Sequence, residues 1–354
     1  MLLFIARRLV WAGVLAVVIT LVTFVIFFMV PNNGATLRVG RGSLARSLQT
    51  QFSLQGSLPE QYAKFVGHLL NGDFGRSTRT RDQASDVIRN ALPVTASLII
   101  GGTLMFLLIA IPIGILSALR PRSRLDKASM VFVLIGVSVH PVWLAFVFSY
   151  VFGAKLHWFP VGDYCNFFAD PHDHCGGAVD WARHMMLPWL TYAFLFAAFY
   201  ARMLRASIIE LLDDDFVRTA YAKGAGSARV IRKHVLPNAV LPMVAMLGMD
   251  VGIAFGGALF VESVYDVPGV GGMLYDALGQ LDLPVMMGVF LVICLSVVFA
   301  NLIADIACMV LDPRMHVSRV SKYGEGARSG PLARRAAKAT AATPAGTASV
   351  TAHR

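Results

Sequence analysis

Charge is what this sequence has least of. Only 15% of its 354 residues are Asp, Glu, Lys or Arg, while 56% are hydrophobic. Soluble domains carry roughly 25% charged residues, and a soluble fold of this size could not cover its surface with so few polar groups. The chain is therefore an integral membrane protein. Nucleotide-binding chemistry is missing as well. No G-x-x-x-x-G-K-[ST] loop occurs, and the glycine-rich runs at 222–227 and 268–272 lack that spacing, which excludes ATP hydrolysis by this chain. G-x-S-x-G and H-E-x-x-H are also absent. Acids well inside the apolar stretches are few, Asp250 and Asp305 among them, with Glu262 at the end of one. That leaves little for a proton relay and favours a polar wall of a path or a hydrogen bond between helices.

Six apolar stretches have about the 20 residues that a transmembrane helix needs: 9–30, 93–119, 128–153, 187–204, 239–262 and 284–311. None has the alternation of a barrel strand. With the N-terminus placed in the cytosol, the inside segments hold 21 of the 31 Lys and Arg, as the positive-inside rule requires. The short run Arg120-Pro121-Arg122-Ser123-Arg124-Leu125-Asp126-Lys127 is the clearest marker. Both termini are thus expected inside. The net charge of +10 records this topology and contact with the lipid bilayer, and it needs no nucleic acid. The first stretch, preceded by Arg7-Arg8 and followed by Pro31-Asn32-Asn33, reads as an uncleaved signal anchor. The fold class is all-α and polytopic. Residues 1–92 form the anchor and first outside segment, 93–314 the core with an inside loop over 205–237, and 315–354 an Ala/Thr/Arg-rich tail expected to lack structure.

Small residues recur at four-residue spacing in two stretches, Ala110, Gly114 and Ala118 in one and Gly248, Gly252 and Gly256 in the other. Such faces let helices approach closely, within one subunit or between two. Of four cysteines, Cys294 and Cys308 lie in the last stretch and read as packing. Cys165 and Cys175 fall in an outside loop, where a disulfide could close. The neighbouring Asp170, His172, Asp173 and His174 are crowded without a second ligand cluster, so no metal site is expected.

The loop from 205 to 237 is the most informative segment. Asp213, Asp214 and Asp215 would cap a short helix and favour its N-terminal dipole, and Gly224 would end it. A second amphipathic turn leads into Leu236-Pro237. A short amphipathic helix hung between two spans suits a partner's groove.

That run, Asp215-Phe216-Val217-Arg218-Thr219-Ala220 with Ala222-Lys223-Gly224, then His234, Leu236-Pro237-Asn238-Ala239 and Pro242, resembles the EAA loop of ABC importer permeases. Arg218-Thr219-Ala220 is the form typical of the dipeptide/oligopeptide branch. Gly72-Asp73-Phe74-Gly75-Arg76-Ser77, the run from Glu262 through Val264-Tyr265 to Gly269 and Gly271, the N-terminal Ile5-Ala6-Arg7-Arg8-Leu9 and the closing Asp312-Pro313-Arg314 are similar to further motifs of its B-type permease. Pro31-Asn32-Asn33 departs from the branch's Pro-Gly-Asp, and Pro141 stands one position later than usual.

The resemblance implies a type I importer permease fold with six transmembrane helices in a bacterial inner membrane. It implies a homologous second permease, two ATP-binding subunits that hold the ATP and magnesium, and a substrate-binding protein outside; this chain itself would bind no cofactor. The ATPase-coupling residues would be Asp215, Arg218, Thr219, Ala220, Lys223, Gly224, His234, Leu236 and Pro237. Asp250 and Glu262 are candidates for the translocation path. The loop 263–283 carries no Lys or Arg and joins the last two spans. Its Asp266, Gly269, Gly271, Met273 and Asp276 are therefore expected to meet the binding protein, with the glycines forming a mobile turn. Peptides are the expected cargo. Nickel chelates, haem or another small solute in the same architecture, and a proton-coupled transporter using Asp250 and Asp305, are the alternatives.

Overall fold

The computed structural model describes residues 2–29, 50–52, 56–168 and 175–311, and among these every regular element is a helix. Residues 1–306 form one unit and 307–354 a second, of which only the end of the last helix is described. The Pro31-Asn32-Asn33 run, the polar residues 170–174, Asp312-Pro313-Arg314 and the tail lie outside the described residues.

Helix α1 (Leu2–Phe24) runs on through a wider turn, Val25–Met29. Leu9, Val10, Trp11, Val14 and Val17 are exposed along it, an apolar surface that suits lipid. Its far end is held by Phe24, Phe28, Phe52 and Phe65, all buried, with ring centroids 5.3 to 6.1 Å apart. Such offset and edge-to-face contacts add to the burial itself. Phe65 belongs to α2 (Leu58–Leu70), where the Glu60 carboxylate accepts from the Ser57 N–H at 3.2 Å.

The centre is a pair of long helices, α3 (Ala84–Leu119) and α6 (Ala178–Leu212). α3 begins nine residues before the expected 93, because Pro93 and Pro112 are both accommodated inside it. The two helices meet through glycine. A Cβ at Gly102 would lie 2.3 Å from the Tyr192 ring, one at Gly101 2.2 Å from Trp189, and one at Gly114 3.0 Å from the Ala201 carbonyl. The Trp189 indole N–H donates to the Ser97 carbonyl at 3.1 Å. The 110/114/118 stripe is thus packing within one subunit. Gly248 and Gly252 likewise face Ala304 and Val297.

The third expected span, 128–153, is not one straight helix. It is α4 (Arg124–Ser138) and α5 (Pro141–Phe148, extended by the wider turn Ser149–Lys155), bent by 111°. Pro141 cannot donate a backbone hydrogen bond and pushes the residue before it out of helical geometry. His140 is extended (φ −74°, ψ 139°), and its Nδ1 accepts from the Val142 N–H as a new cap.

α7 (Asp215–Ala222) is followed by three short pieces, Ser227–Val230, Ile231–Val235 and Leu236–Ala239, together called α8. α9 (Leu241–Tyr265), α10 (Val270–Gln280) and α11 (Leu283–Leu311) complete the chain. Among the described residues, by length and composition, four stretches can cross a membrane: Ile5–Phe28, Ala84–Leu119, Ser227–Asp250 and Leu283–Val310. The bent pair would make a fifth. The expected crossing at 187–204 lies in α6, which is not among them. α6 buries Thr191, Tyr192 and Tyr200 against its neighbours, and a helix enclosed by protein need not be apolar all round.

One ion pair fastens α3, α4 and α6 together. Arg205 donates to both Asp126 oxygens, Nε at 2.7 Å and a terminal nitrogen at 3.0 Å. Ser117 Oγ at 2.5 Å and the Arg122 N–H at 2.8 Å donate to the same carboxylate. The Arg205 bonds first, then those from Ser117 and Arg122, hold the Asp126 carboxyl well below the usual carboxylate range. A depressed folded-state value gives stability that is full above about pH 4, the ordinary Asp value, and is lost as pH falls toward the folded value. Asp126→Asn should therefore lower the thermal midpoint of the detergent-purified protein at pH 7, and the gap to the parent protein should narrow as the pH is taken from 5 toward 3. A gap independent of pH would show that the carboxylate charge contributes nothing.

Candidate functional site

Two arrangements stand out, one leading into α9 and the other at its far end. Asp214 takes the N-cap position of α7, but its side chain makes no capping hydrogen bond, so the expected carboxylate cap is absent. The helix ends as anticipated at Gly224 (φ +81°). The Gly224 N–H donates to the Tyr221 carbonyl at 2.9 Å and the Ala225 N–H to the Ala220 carbonyl at 3.2 Å, the paired bonds of a Schellman motif. Val217 is fully buried in one core cluster with Leu204 and Ile208 of α6 and Val230, Val235 and Ala239 of α8. The short helix is thus pinned to the elements on either side of it.

Arg218, Thr219, Lys223 and Gly224 are exposed, as are Phe216 and Tyr221. Asp215 is exposed too, 3.9 Å from Arg218, a surface pairing of little energetic weight. Of the remaining coupling candidates, Ala220 and Leu236 are half-buried and pack against the core cluster. His234 is half-buried, its carbonyl accepting from Asn238 at 2.7 Å, and Pro237 is exposed. The exposed aromatic pair escaped the sequence reading. Phe216 adjoins the one inward-facing valine, and only the docking of Val217 decides that its neighbour faces out.

At the other end of α9, Glu262 is 1% exposed. Its carboxylate accepts from Thr95 Oγ1 of α3 at 2.6 Å and from the Gly272 N–H at 2.9 Å. Thr95 Oγ1 in turn accepts from the Val270 N–H at 2.7 Å. A Cβ on Gly269 would lie 2.2 Å from the Glu262 carboxyl, and one on Gly271 2.6 Å from the Leu259 backbone. Gly269 and Gly271, expected in a mobile turn at a contact surface, are instead buried where α10 closes on α9. Asp266 ends α9 in the left-handed region (φ 51°). The segment 263–283 is mostly the helix α10, and its end is held by Asp282. That buried carboxylate accepts from Ser77 Oγ at 2.5 Å and the Thr78 N–H at 3.2 Å, which ties the Gly72–Ser77 motif to α10.

Asp266, Met273 and Asp276 do share one surface. With Arg79, Tyr275 and Glu262 they line a cavity of 540 Å³. Asp250 is elsewhere, midway along α9, where it accepts a hydrogen bond from Tyr200 of α6. Asp305 pairs with Arg8 at 2.7 Å. Cys165 and Cys175 are joined as a disulfide, Cα–Cα 5.1 Å.

The glycines give a graded test. Gly271→Ala, whose new Cβ meets backbone, should cost about 1–3 kcal/mol, the usual range for overpacking. Gly279→Ala, with open space around it, should stabilise by about 0.5–1 kcal/mol. Gly224→Val also has open space but must hold a left-handed backbone, at roughly 1–2 kcal/mol. Thermal midpoints in detergent check the order; equal shifts for Gly271→Ala and Gly279→Ala would refute the close approach at 271.

Residues 110–317 match the family described as "Binding-protein-dependent transport system inner membrane component", and residues 1–99 match the N-terminal family of such membrane components. A Brucella suis biovar 1 protein named as a peptide permease is 37% identical over 77% of this chain and 84% of its own length. An oligopeptide transport system permease of Bacillus subtilis is 32% identical over 88% and 98%. A dipeptide transport system permease of Alkalihalophilus pseudofirmus is 31% identical over 89% and 99%. With more than half its length matched, and relatives aligned almost end to end, the chain belongs to the inner-membrane components of binding-protein-dependent transport systems.

Proposed function

We propose that the chain is a translocation subunit of an ATP-driven importer of short peptides. One observation carries the reading: α7, exposed on its outer side, is pinned through Val217 to both α6 and α8, and α8 leads directly into α9. A soluble ATPase that grips Arg218, Thr219, Lys223 and Gly224 would move α6 and α9 as a rigid body. Phe216 and Tyr221 would add apolar anchors to that contact. The peptide cargo is supported by the relatives named for peptide, oligopeptide and dipeptide transport.

The finer architecture belongs to the same proposal. The chain crosses the membrane six times with both termini in the cytosol, α6 counted as a crossing and α4 with α5 as one. A homologous permease completes the path. Two separate subunits bind and hydrolyse magnesium ATP, and a binding protein delivers the peptide from outside onto the cavity that holds Asp266, Met273 and Asp276. A proton-coupled mechanism fits the acids less well. Asp250 is occupied by Tyr200 and Asp305 by Arg8, so neither stands free as a relay.

Uptake of radiolabelled dipeptide by cells carrying the full system should stop on ATP depletion and persist when the proton gradient is dissipated at constant ATP. Gly224→Val should leave the membrane level of the protein close to normal while reducing uptake at least several-fold. Normal uptake at normal level would sink the coupling assignment. Single cysteines at Asp266, Met273 and Asp276 should crosslink to the binding protein, and crosslinks arising only from 154–186 would move that contact to the other loop.

A further inference from the structure

We propose that His140, at the break between α4 and α5, is a specificity-determining residue of the path, its Nε2–H donating to the terminal carboxylate of a short peptide that enters along α9. The inference rests on the reading of the chain as a peptide importer. His140 stands where the two helices bend by 111°. Its Nδ1 accepts from the Val142 N–H at 3.3 Å. A ring nitrogen that accepts carries no proton, so the proton of the imidazole is on Nε2. Among the described residues no oxygen accepts from that N–H. The ring is half-buried and meets Phe260 of α9 edge to face, centroids 5.4 Å apart. An N–H without an acceptor is costly against lipid, and so it suits a wet path.

α9 supplies the wall beside it. Gly256, Phe260 and Ser263 are exposed at i, i+4 and i+7, on one face of the helix. Asp266, at the helix end, is exposed as well. A Cβ at Gly256 or Gly257 would meet nothing within 4 Å. This face differs from that of α1, where Leu9, Val10, Trp11 and Val14 are exposed. Ser263 and Asp266 line the 540 Å³ cavity, so the open face of α9 leads from that cavity to His140.

The groups along this face match the two ends of a zwitterion. Ser263 Oγ gives its proton to the Leu259 carbonyl at 2.8 Å, which leaves it only lone pairs for a ligand. Asp266 also accepts, so both suit an ammonium. His140 offers a donor, which suits a carboxylate, and a hydrogen bond to a charged acceptor is among the strong ones. Along α9, Phe260 is about 4.5 Å from the level of Ser263 and about 9 Å from that of Asp266. A dipeptide spans about 7 Å between its ends. It therefore fits with its amine toward the cavity and its carboxylate at His140. Arg79 lines the cavity too, but from the segment before α3 and not from α9.

The test uses the full complex with its binding protein in proteoliposomes. Labelled dipeptide is supplied at a concentration that saturates the binding protein, and the readout is peptide carried per ATP hydrolysed. Two variants separate the donor from the cap. His140→Asn keeps a side-chain acceptor for the Val142 N–H but does not reach the Nε2 position. Its ratio should fall about tenfold, the scale of a hydrogen bond to a charged group. His140→Gln brings an N–H close to the Nε2 position and gives up the cap, and it should keep most of the ratio. A purely capping role predicts the reverse order. With the dipeptide C-terminal amide, which lacks the charge, the parent protein and His140→Asn should differ little. A parent-like ratio in His140→Asn, a loss in His140→Gln alone, or an equal loss with the amide would overturn the proposal and leave the importer reading intact. No dipeptide carried by the parent complex would overturn both.

Discussion

The carboxylate of Glu262 is the point on which the upper half of the molecule depends. It is buried at the end of α9 with its oxygens turned toward α3 and the start of α10. A buried carboxylate is costly unless donors surround it, and here the donors come from two distant places in the chain. Thr95 gives its hydroxyl proton, Gly272 its backbone N–H, and Thr95 then accepts from Val270. The glycines at 269 and 271 follow from this, because a side chain at either position would occupy the space of the carboxyl or of the Leu259 backbone. One ionisable group thus constrains the residue types seven and nine positions away.

The same helix links the two arrangements proposed to serve transport. α9 has 25 residues, about 37 Å of rise. α8 with its exposed neighbour α7 lies at one end, and the Glu262 cluster lies at the other. Packed interiors transmit displacement because they have little free volume. Gly248 and Gly252 seat α9 against α11, and Tyr200 holds Asp250 from α6. Movement of α7 would therefore arrive at α10 and its cavity as movement of a packed body.

The acids of the molecule divide by task. Asp126, Glu262 and Asp282 are buried and fully engaged with donors, and each fastens segments distant in sequence. Asp215, Asp266 and Asp276 are exposed, on the surfaces assigned to partners. An unpaired buried acid would be expensive. The paired ones give orientation, since a bidentate arginine or a cluster of N–H donors accepts a carboxylate in few geometries.

What the sequence determined by itself was everything that depends on local composition or on short spacing. The apolar stretches, the basic loop at 120–127, the end of α7 at Gly224 and the motif string that carried the family resemblance all follow from neighbours along the chain. What only the tertiary structure decided depends on groups far apart in sequence. Pro141 was visible, but the 111° bend between α4 and α5 depends on where the chain can pack after it. The run 268–272 was read as mobile because glycine favours turns, yet the Glu262 and Leu259 atoms that fill its surroundings make it a buried junction. Thr95 carried no local signal, since its partner lies 167 residues away, and Ser77 stood in a motif that gave no sign of Asp282, 205 residues on. Burial, and with it the difference between a contact surface and a structural joint, is a property of the whole fold and is absent from any window of sequence.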